Sequence, residues 1–169
     1  PTTIWGYGLK KQPASWPGMT FERHVNDVPL VVKFRNKLID PVTEKPLPHL
    51  LPVDTSLHWA YGLHGYMNKS IAKHGVPLVP HVHGGRNDSS SDGNPEFFFS
   101  PGNKVRGPRY VDDKYTFGGN TWNDAAGMMW YHDHALGITR LNVYAGLAGF
   151  FALRDDNDTG KANNPLGLP

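Results

Sequence analysis

Residues 127–154 read GMMWYHDHALGITRLNVYAGLAGFFALR, and the head of that stretch is Trp130-Tyr131-His132-Asp133-His134. The flanking residues are apolar and β-prone, so the segment reads as an inner strand of a sheet. Side chains alternate between the faces of a strand, which sets His132 and His134 on one face, roughly 6.5–7 Å apart. Each imidazole carries a donor and an acceptor that need partners, so two rings beside a buried aromatic are costly as inert filler. A second pair, His81-Val82-His83, lies upstream. If the two strands pair side by side, four rings converge into one patch. Neutral imidazole suits Zn, Cu, Fe and Ni, so that patch is a candidate metal site.

Working outward, 169 residues are enough for one domain with a substantial core. Hydrophobic content of 38% and charged content of 19% fit a soluble globular protein, and a net charge of +2 gives no reason to expect a nucleic-acid partner. Aromatic residues make up 12%, with 19 Gly and 15 Pro, a mixture that favours short strands joined by turns and hence a sandwich or barrel. No apolar run reaches the roughly 20 residues of a membrane span, and no signal-peptide pattern is visible. The chain opens at Pro1, which leaves removal of a leader as an expectation. The absence of Cys excludes disulfides and any Cys-ligated metal within these residues.

Strands are expected at residues 3–8, 20–23, 30–35, 79–83, 96–99, 114–117 and 147–153, from their alternation and the turn signals between them. Residues 57–73 could hold a short helix, and 139–144 a helical turn. Residues 37–80 are irregular, interrupted by Pro41, Pro46, Pro48, Pro52, Pro77 and Pro80. So long a connection in a compact domain is usually functional or mobile. The expected organisation is one β-domain over 1–155 and a polar, linker-like tail over 156–169 leading toward a second domain. His24, His49, His58, His64 and His74 read as structural or surface residues. Trp5, Trp16, Trp59 and Trp122 read as core or loop packing, and Met128 and Met129 as core rather than soft copper ligands. Gly146 and Gly149 suggest close strand packing. Asn68, Asn87 and Asn157 each open a glycosylation sequon, which weighs slightly toward a secreted or extracellular location.

His81-Val82-His83-Gly84 and Trp130-Tyr131-His132-Asp133-His134 resemble the two amino-terminal copper motifs of multicopper oxidases. The resemblance covers about residues 16–155. It includes Leu51-Pro52-Val53-Asp54, Ser91-Asp92-Gly93 with Pro95-Glu96, and the run from Thr139 to Leu147. These segments are similar to the branch holding spore-coat laccase, phenoxazinone synthase and bilirubin oxidase. The resemblance implies an all-β fold, a cupredoxin-like Greek-key β-sandwich with long loops and one or two short helices, as the first of three such domains. It implies copper: His81 as a type 2 ligand and His83, His132 and His134 as type 3 ligands of a trinuclear cluster shared with the third domain. Asp92 matches an acidic residue that assists proton delivery to oxygen; read alone, it is a turn residue before Gly93.

The family's type 1 site needs a Cys thiolate with two His, so that copper lies outside this chain. The expected partner is a second polypeptide, or the cleaved remainder of the same enzyme, carrying a His-Cys-His segment and the remaining ligands. The implied reaction is one-electron oxidation of phenolic or similar small-molecule donors coupled to four-electron reduction of dioxygen to water. Two other readings stand beside it. One is a zinc metallohydrolase on clustered histidines; the other is a non-catalytic cupredoxin-like domain that binds metal or a partner.

Overall fold

A computed structural model of the chain describes residues 1–118 and 126–168; Trp122, with the rest of residues 119–125, lies outside them. The strands are β1 (Gly18–His24), β2 (Leu30–Lys33), β3 (Pro80–His83), β4 (Lys114–Phe117), β5 (Gly127–Asp133) and β6 (Ala148–Arg154). Among the described residues, two short helices, α1 (Ile71–His74) and α2 (Thr139–Tyr144), complete the regular elements apart from single 3-10 turns. One sheet runs β1-β6-β5-β3, with β1 parallel to β6 and the other pairs antiparallel; β2 and β4 form a second, antiparallel sheet. The chain crosses between the sheets from β1 to β2, back to β3, over to β4 and back to β5. This is the Greek-key β-sandwich expected, all-β apart from the two short helices.

The two sheets meet over Phe34, Val82, Phe99, Tyr115, Phe117, Tyr131, Phe151 and Leu153, all buried. Tyr131 of β5 points into this core, so Met128, Trp130 and His132 fall on the opposite face of the same strand. Val82 likewise points inward from β3, which turns His81 and His83 outward. The close approach of β5 and β6 explains Gly149: a Cβ there would collide with the Tyr131 ring. Gly146, at a φ of +121, leaves room for the backbone of Trp5. A second buried cluster, including Trp5, Trp59, Tyr61, Val79, Phe98, Ile138 and Leu147, fills the end of the sandwich beneath the irregular connection.

Several sequence expectations need correction. Residues 3–8 form no strand; Trp5 N–H donates to the Ala145 carbonyl at 2.7 Å, and Tyr7 makes an isolated bridge with Ser15. The alternation there reflects two inward aromatics, not a pairing partner. Residues 96–99 do not form a strand either. Pro95–Phe97 is a 3-10 turn started by the Asn94 side chain, which accepts from Glu96 N–H at 2.9 Å. That cap and Pro95 override the β-prone phenylalanines, and Phe99 is left to make single bridges with Leu78 and Arg106. The helix expected in 57–73 resolves into a 3-10 turn, Ala60–Gly62, and α1, which Ser70 caps from its hydroxyl. Met128 is exposed, at 66%, and not core; Trp16 lies in a loop, 58% exposed.

Candidate metal centre

Pairing of β3 with β5 sets His81 opposite His132 and His83 opposite Trp130. His134 follows just past the end of β5, its N–H held by the Val79 carbonyl at 2.7 Å. All four imidazoles meet as a result. His81 lies 5.7, 5.4 and 5.0 Å from His83, His132 and His134 by ring centroid. His83 to His132 is 5.5 Å, and His132 to His134 is 5.8 Å with nearly parallel rings. The Trp130 indole covers this patch, 5.5 Å from His83 in a stacked contact and 4.1 Å from His132.

The backbone decides which nitrogens are free. His132 Nδ1 donates to the Asp133 carbonyl at 2.6 Å, and His81 Nδ1 donates to the Asp92 carbonyl. A carbonyl only accepts, so both rings carry their proton on Nδ1 and offer the Nε2 lone pair. His132 Nε2 stands 3.3 Å from His83 Nδ1. Two imidazole nitrogens bound to one metal ion at about 2.0–2.1 Å and a near-tetrahedral angle stand about 3.3 Å apart. One donor atom from each of His81, His83 and His132 lies within 4.8 Å of the others, with no carboxylate in the set. The donor chemistry therefore fits a cation that takes imidazole, copper included.

Burial lowers His132 to about 4 and lowers His134 as well, so both stay neutral and available as ligands. Asp92 is drawn in by its loop. Gly93, at a φ of +82, sits where any Cβ would meet the Pro80 carbonyl and the backbone of His81. That tight turn lays the Asp92 carbonyl on His81 and leaves the Asp92 carboxylate 3.5 Å from the same ring and 48% exposed. Ser91 is buried and accepts from Thr116 N–H at 3.0 Å, anchoring the loop to β4. The structure thus brings together all five residues singled out from the sequence. His49 is half-buried and structural, as expected; His24 pairs with exposed Asp156 at 3.3 Å. One residue was missed. Asp133, between the paired histidines, is fully buried on the inner face of β5. The signal was available, since an acid at an inward position of an inner strand must find several donors.

A Greek-key β-sandwich that gathers imidazoles on one sheet face presents a candidate metal site. No protein-family model matches the chain. It is, however, 38% identical over 168 residues to the multicopper oxidase LPR2 of Arabidopsis thaliana, covering 99% of this chain and 25% of that protein. It is 39% identical over 155 residues to a laccase of Bacillus stratosphericus, covering 92% of this chain and 26% of the laccase. Among solved structures, a multicopper oxidase of Aquifex aeolicus is 30% identical, with a TM-score of 0.39 over 50% of this chain and 16% of that one. The chain belongs to the multicopper oxidase family. It spans about a quarter of the length of the curated relatives it matches.

Proposed function

We propose that this chain is the amino-terminal cupredoxin domain of a laccase-like multicopper oxidase, with His81 a ligand of a type 2 copper and His83, His132 and His134 ligands of a type 3 pair. The observation that carries this reading is the convergence of His81, His83 and His132 donor atoms within 4.8 Å, in a chain of this family. Copper bound there would pass four electrons, taken singly from phenolic or similar donors, to dioxygen, which with four protons becomes two waters. This chain's own residues hold and shield that chemistry. The Asp133 and Asp92 carbonyls fix the His132 and His81 tautomers, so each ring meets a cation with its lone pair. Trp130 packs against His83 and His132 and helps bury the His132 ring, while His83 stays exposed. Asp92, half in solvent and beside His81, is placed to carry protons inward.

The remaining ligands and the type 1 copper would come from a partner polypeptide, or the remainder of the same enzyme, bearing a His-Cys-His segment. The test replaces His132 by Ala in the whole enzyme and measures copper content and oxygen consumption. Loss of copper and at least a hundredfold loss of oxygen uptake are expected. Full copper and full activity in that variant, or zinc in place of copper in the wild type, would overturn the reading. Asp92→Asn is expected to keep its copper while slowing oxygen reduction roughly 10²-fold, the scale of one lost proton-transfer group.

A further inference from the structure

Behind the histidine patch, on the inner face of β5, the Asp133 carboxylate is held by three donors. Oδ1 accepts from Val79 N–H at 2.8 Å, and Oδ2 accepts from Ala135 N–H at 3.0 Å and from Asn142 Nδ2 at 2.7 Å. Val79 stands two residues before His81, and Ala135 directly follows His134. One carboxylate therefore ties the start of the first histidine pair to the end of the second.

Asn142 is itself completely buried and has no spare polar atom. Its Nδ2 also reaches the Pro77 carbonyl at 3.2 Å, and its Oδ1 accepts from His49 Nε2 at 3.0 Å. The direction of that last bond is settled by the other end of the Asn142 amide. The Asp133 carboxylate and the Pro77 carbonyl accept, so Nδ2 faces them and Oδ1 meets His49, whose Nε2 must carry the proton; His49 Nδ1 then accepts from Leu51 N–H at 3.0 Å. A reversed Asn142 amide would aim its NH2 at that N–H and its oxygen at the carboxylate; only one orientation works. His49 comes from the irregular connection before β3, packed edge-on to Trp5 at 4.8 Å.

We propose that His49, Asn142 and Asp133 form a positioning relay that sets both histidine pairs from behind, with His49 as its outer anchor. The proposal rests on the copper reading above. Neither His49 nor Asn142 touches the patch; they act through Asp133, which orients backbone on either side of the ligands. Partners that orient metal ligands in this way typically cost 10–100-fold in metal affinity when lost.

The test uses the whole enzyme in four variants. Asn142→Leu removes the middle of the relay at similar volume, and His49→Phe keeps the ring against Trp5 but removes the donor. His49→Gln restores an N–H toward Asn142, and His132→Ala removes a ligand outright. Copper affinity is measured by competition with a chelator, and ligand geometry by the paramagnetic resonance spectrum of bound Cu(II). The relay predicts a loss of roughly 10–100-fold in affinity and a changed copper spectrum for Asn142→Leu and His49→Phe, with recovery to within about threefold in His49→Gln. Should Asn142→Leu fail to fold, the His49→Phe and His49→Gln pair decides. Wild-type affinity and spectrum in His49→Phe, with only thermal stability reduced, would overturn the relay and leave mere packing. If His132→Ala loses copper in that same experiment, the copper reading survives alone. Full copper in His132→Ala would defeat that reading, and the relay with it.

Discussion

Burial pulls the His132 imidazole down from 6.5 to about 4, against the Asp133 carbonyl, which favours the charged ring; neighbouring His81, His134 and His83 add to the lowering. A histidine kept neutral by the fold takes up its proton earlier in the unfolded chain. As pH falls from 6.5 toward 4, the unfolded state binds more protons than the native state, and the metal-free protein loses stability. Asp133 has the opposite sign: burial raises it to about 7, against the hydrogen bonds from Asn142, Ala135 and Val79, so its contribution is lost as pH rises through that value. Denaturant titrations across pH 4 to 8 on the metal-free wild type and on His132→Leu separate the two. The variant is expected to lose less stability between pH 6.5 and 4; parallel curves would contradict the assignment. Asn36 makes a second prediction at this scale. It is buried, donates to the Val76 and Phe99 carbonyls at 2.8 and 3.1 Å and accepts from Leu38 N–H at 3.1 Å. Asn36→Ala orphans those groups and is expected to cost about 1–3 kcal/mol, read as a lower denaturation midpoint at unchanged slope.

The strands that present the histidines depend on glycines where they press together. Tyr131 cannot retreat from Gly149, because its hydroxyl donates to the Met19 carbonyl at 2.8 Å and its ring packs on Tyr7 and Phe21 at 5.0 Å each. Gly149→Ala is therefore expected to cost about 1–3 kcal/mol in chemical denaturation, and an unchanged midpoint would show that β5 and β6 can part. The same elements show what could be read in advance. Lys114–Phe117 and Thr139–Tyr144 appear at their expected positions, because alternation and turn residues are local signals. The histidine patch was legible for the same reason: each His-x-His pair shares one face of its strand, and the register that sets His81 opposite His132 puts both pairs on the same side. Residues 3–8 and 96–99 carried the same local pattern without a strand to pair with, and pairing is not a local property. What stayed hidden was the set of partners that hold Asp133, because they are distant: Val79 lies 54 positions away, and His49 lies 93 from Asn142.

On the molecule as a whole, the face that carries the histidines is not finished as a surface. Met128 is 66% exposed and Phe150 47%, flanking half-buried Trp130 on the outer side of the sheet. Apolar side chains grouped around a polar centre mark an interaction site, and the proposed partner polypeptide would cover them. Met128→Glu with Phe150→Glu is expected to weaken that association without unfolding the sandwich. The measurement is co-elution and copper content after gel filtration of the assembled enzyme. Retention of both would place the partner elsewhere. The most direct test of the central claim is diffraction from the whole enzyme with anomalous data on both sides of the copper absorption edge. The account predicts copper peaks about 2.0–2.1 Å from His81 Nε2, His83 Nδ1 and His132 Nε2, with His134 completing the set. Copper found only at sites away from these four rings, or zinc between them, would contradict it.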